Sequence, residues 1–508
     1  MHKSIPFLLV GLIIINVILA SWHVLHGTIN FHTDIARDFL LFEDIYYNKN
    51  ITLIGPRSGG IAGVFHGPLW LYINIPAYIL GSGNPVVVGW FWVLLFIISI
   101  GAVYWLGKKL FNTSVGLLAA VFYSVVTSSS IHSMFNPFGA VVLFPIFYYF
   151  FWNYTQKKRL LDLVISLLML GGIIQFQMAF GVPILILILP IMVYVSFKHK
   201  KWNHLLSLLL LAIPLSSYIV FELRNDFLQI RSALEFISGK RPLPDKFNIP
   251  LYEFLYKRVV AMIKNSAGMI VNNRWLLIVG FIASVSYVWF KRAANGYRDK
   301  FALFYYLFFG YWIVTLAFKG TLWNYYYWPF ITLFSVVLAS IIAQLKKKEL
   351  IYGVIFLVFA YSTNLYLAYK QTVGDDFSSQ NGALWSFYEK VAETVYKDAP
   401  PEFGYYIYTQ DQFGYSTRHA MNYVPRKYPD KNGVPFEKRK YTYLLVDDNG
   451  EHKLTNHNDW QKYDIKIERK PDSVQKFTKA YSVETYILTP EELAIPSNPD
   501  LIHTLIFR

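Results

Sequence analysis

Runs of about 17 to 22 apolar residues, long enough to cross a ~30 Å hydrocarbon core as helices, recur through the first three-quarters of this chain. Eleven are read as spans: Pro6–Leu25, Pro85–Leu106, Thr113–Ile131, Pro137–Tyr154, Leu160–Ile174, Phe180–Phe197, Trp202–Phe221, Trp275–Phe290, Phe301–Phe318, Tyr326–Ala343 and Leu350–Tyr369. A chain of 508 residues that is 55% hydrophobic and 18% aromatic is too apolar for one soluble domain. The expectation is an α-helical polytopic membrane protein. Leu69–Leu80, which contains Pro76, is too short to span and is read as a re-entrant or interfacial helix.

The formal charge of +15 invites a nucleic-acid reading, but its placement argues otherwise. Sixteen Lys and Arg against three acids lie at Lys3 and in the turns at Lys108, Lys157, Lys198, Lys291 and Lys346, alternating with turns that carry little excess. The positive-inside rule then places the N-terminus inside and the Asp34 loop, the loop from Glu222, the Lys319 turn and the C-terminal segment outside. Leu19-Ala20-Ser21 is a poor signal-peptidase site, and cleavage there would leave the Asp34 loop outside in either case. With no cysteine, the external part folds without disulfides and offers no thiolate ligand or nucleophile.

These patterns divide the chain into a membrane region, 1–369, with external loops 26–84 and 222–273, and a small extracytoplasmic α/β domain, 370–508. In the latter, helical spacing covers Gly382–Lys397, and strands are predicted at Tyr405–Tyr408, Tyr441–Val446, Ile465–Glu468 and Tyr481–Leu488. Asp447-Asp448-Asn449-Gly450 reads as a turn rather than a calcium loop. In the first loop, Ile35, Phe39, Phe42 and Tyr46 form one apolar stripe while Asp34 and Asp38 share another face, so an interfacial helix resting on lipid is expected.

No span carries a charge near its middle, which argues against ion-coupled transport. Polar groups gather instead at the outer helix ends: Asp34, Arg37, Asp38, Arg57, His66, Asn136, Gln175, Arg224, Arg231 and Lys319. A carboxylate able to take a proton, set among cations able to hold a phosphate, suits group transfer from a lipid-linked phosphate donor. Each residue has a plainer reading. Asp34 can pair with Arg37 at an interface, His66 can bond backbone at a helix start, Asn136 can cap the Pro137 helix, and the arginines and Lys319 can be ordinary interface charges.

The ordered segments Asp34-Ile-Ala-Arg-Asp38, Gly55-Pro56-Arg57-Ser58, Val64-Phe65-His66-Gly67-Pro68-Leu69, Asn84-Pro85, Asn136-Pro137, Phe221-Glu-Leu-Arg224-Asn-Asp226 and Tyr325–Pro329 resemble the GT-C glycosyltransferases. Nearest in pattern are the prokaryotic protein O-mannosyltransferase-like and aminoarabinose-transferase-like enzymes, and the resemblance covers about residues 1–346. It implies inverting transfer of a sugar from a polyprenyl-phosphate donor to a glycan, lipid or protein hydroxyl on the outer face of the cell membrane. It further implies Asp34 as general base, Arg37 and Asp38 as orienting groups, and His66 with some of Arg57, Arg224, Arg231 and Lys319 at the leaving phosphate. Asn136 would orient a sugar hydroxyl, and Gln175 would be a further substrate-binding residue. The mannosyltransferases place Asp and Glu side by side, whereas here Ile35 follows Asp34 and the second acid is Asp38. Gln175-Phe-Gln177 lacks the His common there, so no metal is required on this reading, although Asp34 and Asp38 remain able to share a divalent ion. Two other classes stay open: a flippase for polyprenyl-linked lipid or polysaccharide, and a non-catalytic cell-envelope scaffold. No nucleic-acid partner is expected.

Overall fold

The computed structural model describes residues 4–58, 60–240, 249–268, 297–345, 347–378, 380–409, 413–448 and 456–501. The chain forms two compact units. One comprises Met1–Trp22, Ile51–Ile73 and Phe91–Gly374; the other comprises His23–Asn50, Asn74–Trp90 and Asp375–Arg508.

The first unit is helical. Ser4–Ala20, most of Pro85–Leu110, Thr113–Thr127, Pro137–Lys157, Leu160–Phe176, Met178–Lys198, Tyr297–Thr315, Trp328–Ala343 and Lys347–Thr372 fall where the apolar runs predict them. The expected span Trp275–Phe290 lies outside the described residues. Among those described, five helices are long and apolar enough to cross a membrane: Pro85–Leu110, Thr113–Ser133, Met178–Lys198, Asn324–Ala343 and Leu350–Thr372. Lipid supplies no hydrophobic drive between helices, so packing and interlocking rings must hold them together. Phe330 meets Phe144, Phe180 and Phe308 edge-on at ring-centroid distances of 5.5, 5.1 and 5.2 Å, each such pair contributing about 0.5–1.5 kcal/mol beyond buried area.

One expected span changes shape. Trp202–Phe221 is not one straight helix but a 3-10 segment, Trp202–Ala212, followed by the α-helix Ser216–Arg224 at a 67° bend. Pro214 sits in the break, where it lacks an amide hydrogen and cannot continue the ladder. It packs on Gly171, where an added Cβ would lie 2.2 Å from its Cγ.

The second unit is built on a five-stranded sheet of order β2-β1-β3-β5-β4, with β1 Glu402–Thr409, β2 Asn432–Pro435, β3 Tyr441–Asp447, β4 Ser473–Lys476 and β5 Tyr481–Ile487. Strands β2, β1 and β3 are parallel; β5 runs antiparallel to β3, and β4 to β5. The central strands are buried along nearly their whole length, which is why they read as apolar runs rather than alternations. Helix Trp385–Asp398 fits the predicted helical spacing. The predicted strand Ile465–Glu468 is not one: Trp460–Ile465 forms a π-helical turn, Lys466 takes a left-handed conformation (φ 60°), and Ile465 and Ile467 pack into the core with Trp460 and Tyr486. Strands β2 and β4 escape the sequence pattern because each is four residues long and none of their residues is buried.

The candidate active site

The Thr33–Tyr47 helix belongs to the second unit. His32 is its N-cap, its Nδ1 accepting the Asp34 amide at 3.2 Å. One helical turn brings Asp34, Arg37 and Asp38 together. Arg37 Nη1 donates to Asp34 Oδ1 at 2.6 Å, and its Nη2 and Nε donate to Asp38 Oδ1 at 3.0 and 3.3 Å. The two acids differ in setting, with side-chain exposures of 52% for Asp34 and 3% for Asp38. Burial alone would lower the Arg37 pKa, but the flanking carboxylates of Asp38 and Asp34 raise it, so the guanidinium is a fixed positive charge. An ion shared by Asp34 and Asp38 would have to displace that guanidinium. Among the described residues no group of three or more His, Cys, Asp or Glu is placed to hold a metal.

The apolar stripe of this helix does not rest on lipid as expected. Ile35, Phe39 and Phe42 are at most 1% exposed; Phe39 and Phe42 pack on Tyr78, and Phe39 also on Phe31 and His419. The segment ahead of the helix is tied to the sheet-bearing part of the unit. Phe31 N donates to Ala383 O at 2.8 Å, Trp385 N to Ile29 O at 2.9 Å, and Ser416 Oγ to Phe31 O at 2.8 Å. A 3.6-residue period shows that a stripe must be covered but does not say by what.

Burial pushes the His419 imidazole down to about 3, and the nearby Arg426 charge acts in the same direction. It stays neutral in the folded unit, whereas an unfolded side chain takes up its proton near 6.5. His419 therefore contributes its full stability above pH 6.5, and that contribution falls with acidification by at most about 1.4 kcal/mol per pH unit. Glu43, 4.0 Å away, is shifted upward by burial, so its contribution has the opposite sense, present at low pH and lost as pH rises through its folded value. We expect His419→Phe to flatten the acid limb of a melting-temperature profile below pH 6.5; an unchanged limb would assign it elsewhere.

In the first unit, residues 55–58 run antiparallel to 64–66. Gly55 N donates to His66 O, His66 N to Pro56 O, and Ser58 N to Val64 O, with Arg57 opposite Phe65. Gly67 N then reaches Gln175 O at 2.9 Å. Phe65 N donates to Gln229 Oε1 at 2.9 Å, while Phe236 and Phe318 rings lie 5.6 Å apart. The Arg57–His66 loop, helix Leu228–Ile237 and the Lys319 turn are thus contiguous. Arg57, Arg224, Arg231 and Lys319 are all exposed, and His66 is half-buried.

Two predicted binding residues, Asn136 and Gln175, have structural partners, as does the neighbouring acid Glu222. Asn136 occupies the N-cap position of Pro137–Lys157 without a side-chain cap bond; its amide instead donates to Phe176 O at 2.7 Å, holding the break between Leu160–Phe176 and Met178–Lys198. Gln175, 3% exposed, donates to Pro214 O and Ser217 Oγ at 2.7 and 2.9 Å. Glu222 accepts the Gln229 and Ile230 amides at 3.1 and 3.2 Å, neutralising the N-terminal end of Leu228–Ile237. Arg258, which the sequence reading passed over, donates from Nη2 to Phe318 O and Gly320 O at 2.6 and 2.7 Å and so pins the turn that presents Lys319. Nothing in the sequence sets it apart, because its helix, Leu251–Gly268, also carries Lys257 and Lys264. A cavity of about 430 Å³ in this unit is lined by Lys264, Asn265, Asn324, Ser129 and Ser130 among others.

Residues 66–220 match the family described as dolichyl-phosphate-mannose-protein mannosyltransferase. Among curated proteins no sequence match is found. The structure resembles that of ArnT from Cupriavidus metallidurans bound to undecaprenyl phosphate, with TM-score 0.58 and 11% identity over 96% of this chain and 98% of that one. The apo form of the same protein gives TM-score 0.57 and 10% identity over 94% and 97%. The chain thus shares its fold with ArnT over almost its whole length, and residues 66–220 carry the sequence pattern of the mannosyltransferase family.

Proposed function

We propose that this chain is an inverting transferase that moves a sugar from a polyprenyl-phosphate donor to a hydroxyl acceptor at the outer face of the membrane. The observation that carries the reading is the Asp34–Arg37–Asp38 group, in which an exposed carboxylate is held by an arginine that a buried second carboxylate fixes in place. Asp34 takes the proton of the acceptor hydroxyl as its oxygen bonds to the anomeric carbon. The bond from that carbon to the phosphate oxygen breaks, and the electron pair leaves with the polyprenyl phosphate. Arg57, His66, Arg224, Arg231 and Lys319 are the pool from which the leaving phosphate is stabilised, with one or two cations sufficient. The solved ArnT with undecaprenyl phosphate supports a donor of this kind. Eleven spans, an inside N-terminus and an external 370–508 domain complete the proposed topology, supported by the charge distribution.

The test is incubation of the purified protein in proteoliposomes with a panel of labelled polyprenyl-phosphate sugars and extracted envelope acceptors. Label is expected to move from lipid to an acceptor with at least one donor. Donor crossing the bilayer with no new glycoside would overturn the reading in favour of a flippase. Alanine at the true phosphate cation should lower turnover by about 10²–10³-fold, whereas the same change at an ordinary surface cation should leave it near wild type.

A further inference from the structure

Helix Leu228–Ile237 is turned the wrong way round for a helix that packs only on protein. Its inward face holds Gln229 and Ser232, 7% and 0% exposed, beside the Phe236 ring that meets Phe318. Gln229 Oε1 accepts the Phe65 amide there. The apolar stripe points outward instead: Ile230, Leu234 and Ile237, spaced i, i+4 and i+7, are 51%, 61% and 74% exposed. A helix in water buries such a stripe, so this one needs a cover, and none of the described residues supplies it.

The same inversion recurs in Leu251–Gly268. A cation anchors its buried side, where Arg258 is bonded to the Phe318 and Gly320 carbonyls, while Leu251, Tyr252 and Tyr256 are exposed. Tyrosine, with an apolar body and a polar tip, is favoured where apolar and aqueous phases meet. Neither helix can cross a bilayer. The first has 10 residues and is therefore about 15 Å long, and the second carries Glu253, Lys257, Arg258 and Lys264.

Two observations name the cover. The outward stripe continues the exposed apolar surface of Ser216–Arg224, half of the bent pair whose joint composition suits a membrane span. Ile219, Val220 and Leu223 are exposed on that helix, Phe227 is exposed at the join, and Glu222 ties the two helices by accepting the Gln229 and Ile230 amides. The flank is also cationic. Arg224 and Arg231 are exposed, and from Glu222 to Arg274 the sequence carries nine Lys and Arg against five acids. A second copy seated on the same face would bring these cations together. Phospholipids instead offer anionic head groups beside an apolar layer, the combination that an amphipathic helix with basic flanks fits.

We propose that Leu228–Ile237 docks on an anionic phospholipid bilayer, with Ile230, Leu234 and Ile237 among the upper acyl chains and Arg224 and Arg231 at head-group phosphates. The lipid-resting helix that the sequence predicts in the first external loop lies in this loop instead. This docking stands whether or not the chain transfers sugar.

The chain has no cysteine, so a single introduced cysteine in the full-length protein carries a spin label at one known place. In nanodiscs of phosphatidylcholine mixed with phosphatidylglycerol, labels at Ile230→Cys, Leu234→Cys and Ile237→Cys are expected to relax with oxygen far more than with a water-soluble nickel chelate. A label at Ser473→Cys, on the exposed strand β4, should show the reverse. Leu234→Glu, combined with the Ile237 label, should return that label to nickel contact, with wild-type melting temperatures verifying the fold. Nickel contact at the stripe equal to that at Ser473 would overturn the docking. Exclusion of both reagents with dipolar broadening between labels would overturn it in favour of a second copy. In detergent, native mass spectrometry should show phosphatidylglycerol bound more tightly than phosphatidylcholine, and Arg231→Gln should weaken only the former, about fivefold. Equal affinity for the two lipids, or phosphatidylglycerol binding untouched by Arg224→Gln and Arg231→Gln together, would overturn the anionic preference.

Discussion

Asp34→Asn is expected to abolish sugar transfer while leaving the protein inserted and folded. The substitution is nearly isosteric and removes only the ability to take a proton, which for a positioned general base corresponds to about 10²–10⁴ in rate. Structure should survive for two reasons. The Asp34 side chain is 52% exposed, so little packing depends on it, and the asparagine oxygen still accepts from Arg37 Nη1. Arg37 also keeps its bonds to Asp38. Asp38→Asn should behave differently. It weakens a buried, charge-assisted pair, and loss of one partner in such a pair costs about 3–5 kcal/mol when the other is left uncompensated, so it should lower the melting temperature as well as the rate. Measured with a donor from the labelled panel, near-normal turnover in Asp34→Asn would remove the base assignment, and equal destabilisation by both variants would make Asp34 a structural acid.

Much of this arrangement is legible in the sequence, and the remainder is hidden for identifiable physical reasons. The apolar runs located the helices because membrane thickness imposes a length that few other features imitate. The i, i+3 and i, i+4 spacing of Asp34, Arg37 and Asp38 brought them together on one helix face. What covers Ile35, Phe39 and Phe42 could not be read, because lipid and protein place the same demand on a stripe. Asn136 preceded a proline at a helix start, the usual setting of a cap, yet its amide reaches a carbonyl forty residues away. Arg258 was passed over for a similar reason, since the carbonyls of Phe318 and Gly320 that receive it are separated from it by about sixty positions, and no local pattern encodes such a bond. Strands β2 and β4 were lost to shortness, and Ile465–Glu468 was misread because two buried isoleucines two residues apart imitate strand alternation around a left-handed lysine.

Gly404→Val should unfold the sheet-bearing part of the second unit, an effect expected of few single substitutions on a surface-connected domain. Gly404 lies in the interior of β1, paired with Val434 of β2 on one side and Thr442 of β3 on the other, so the strand cannot slide to make room. A Cβ there would lie 1.9 Å from the Glu437 carbonyl oxygen and 3.0 and 3.1 Å from Glu437 C and Arg439 N, all backbone atoms. That backbone is itself constrained, with Phe436 N bonded to Tyr405 O and Arg439 N to Thr442 Oγ1. Overpacking a well-packed core usually costs about 1–3 kcal/mol, where side chains can shift rotamer; against backbone held on two sides the cost should meet or exceed the upper figure. A glycine inside a strand often marks such an approach, because any other residue there weakens the contact that the fold requires. The comparison is Gly382→Ala, whose added methyl would meet only Phe387 at 4.0 Å and should change stability by less than about 0.5 kcal/mol. Limited proteolysis of full-length protein in detergent should release fragments from 375–508 in Gly404→Val and not in Gly382→Ala. Because the Thr33–Tyr47 helix is packed within the same unit, the valine variant should also lose transfer activity without any change to Asp34 itself. Equal protease resistance in the two variants would show that β1 tolerates a side chain at this position and that the close approach of Glu437 is not a constraint on the fold.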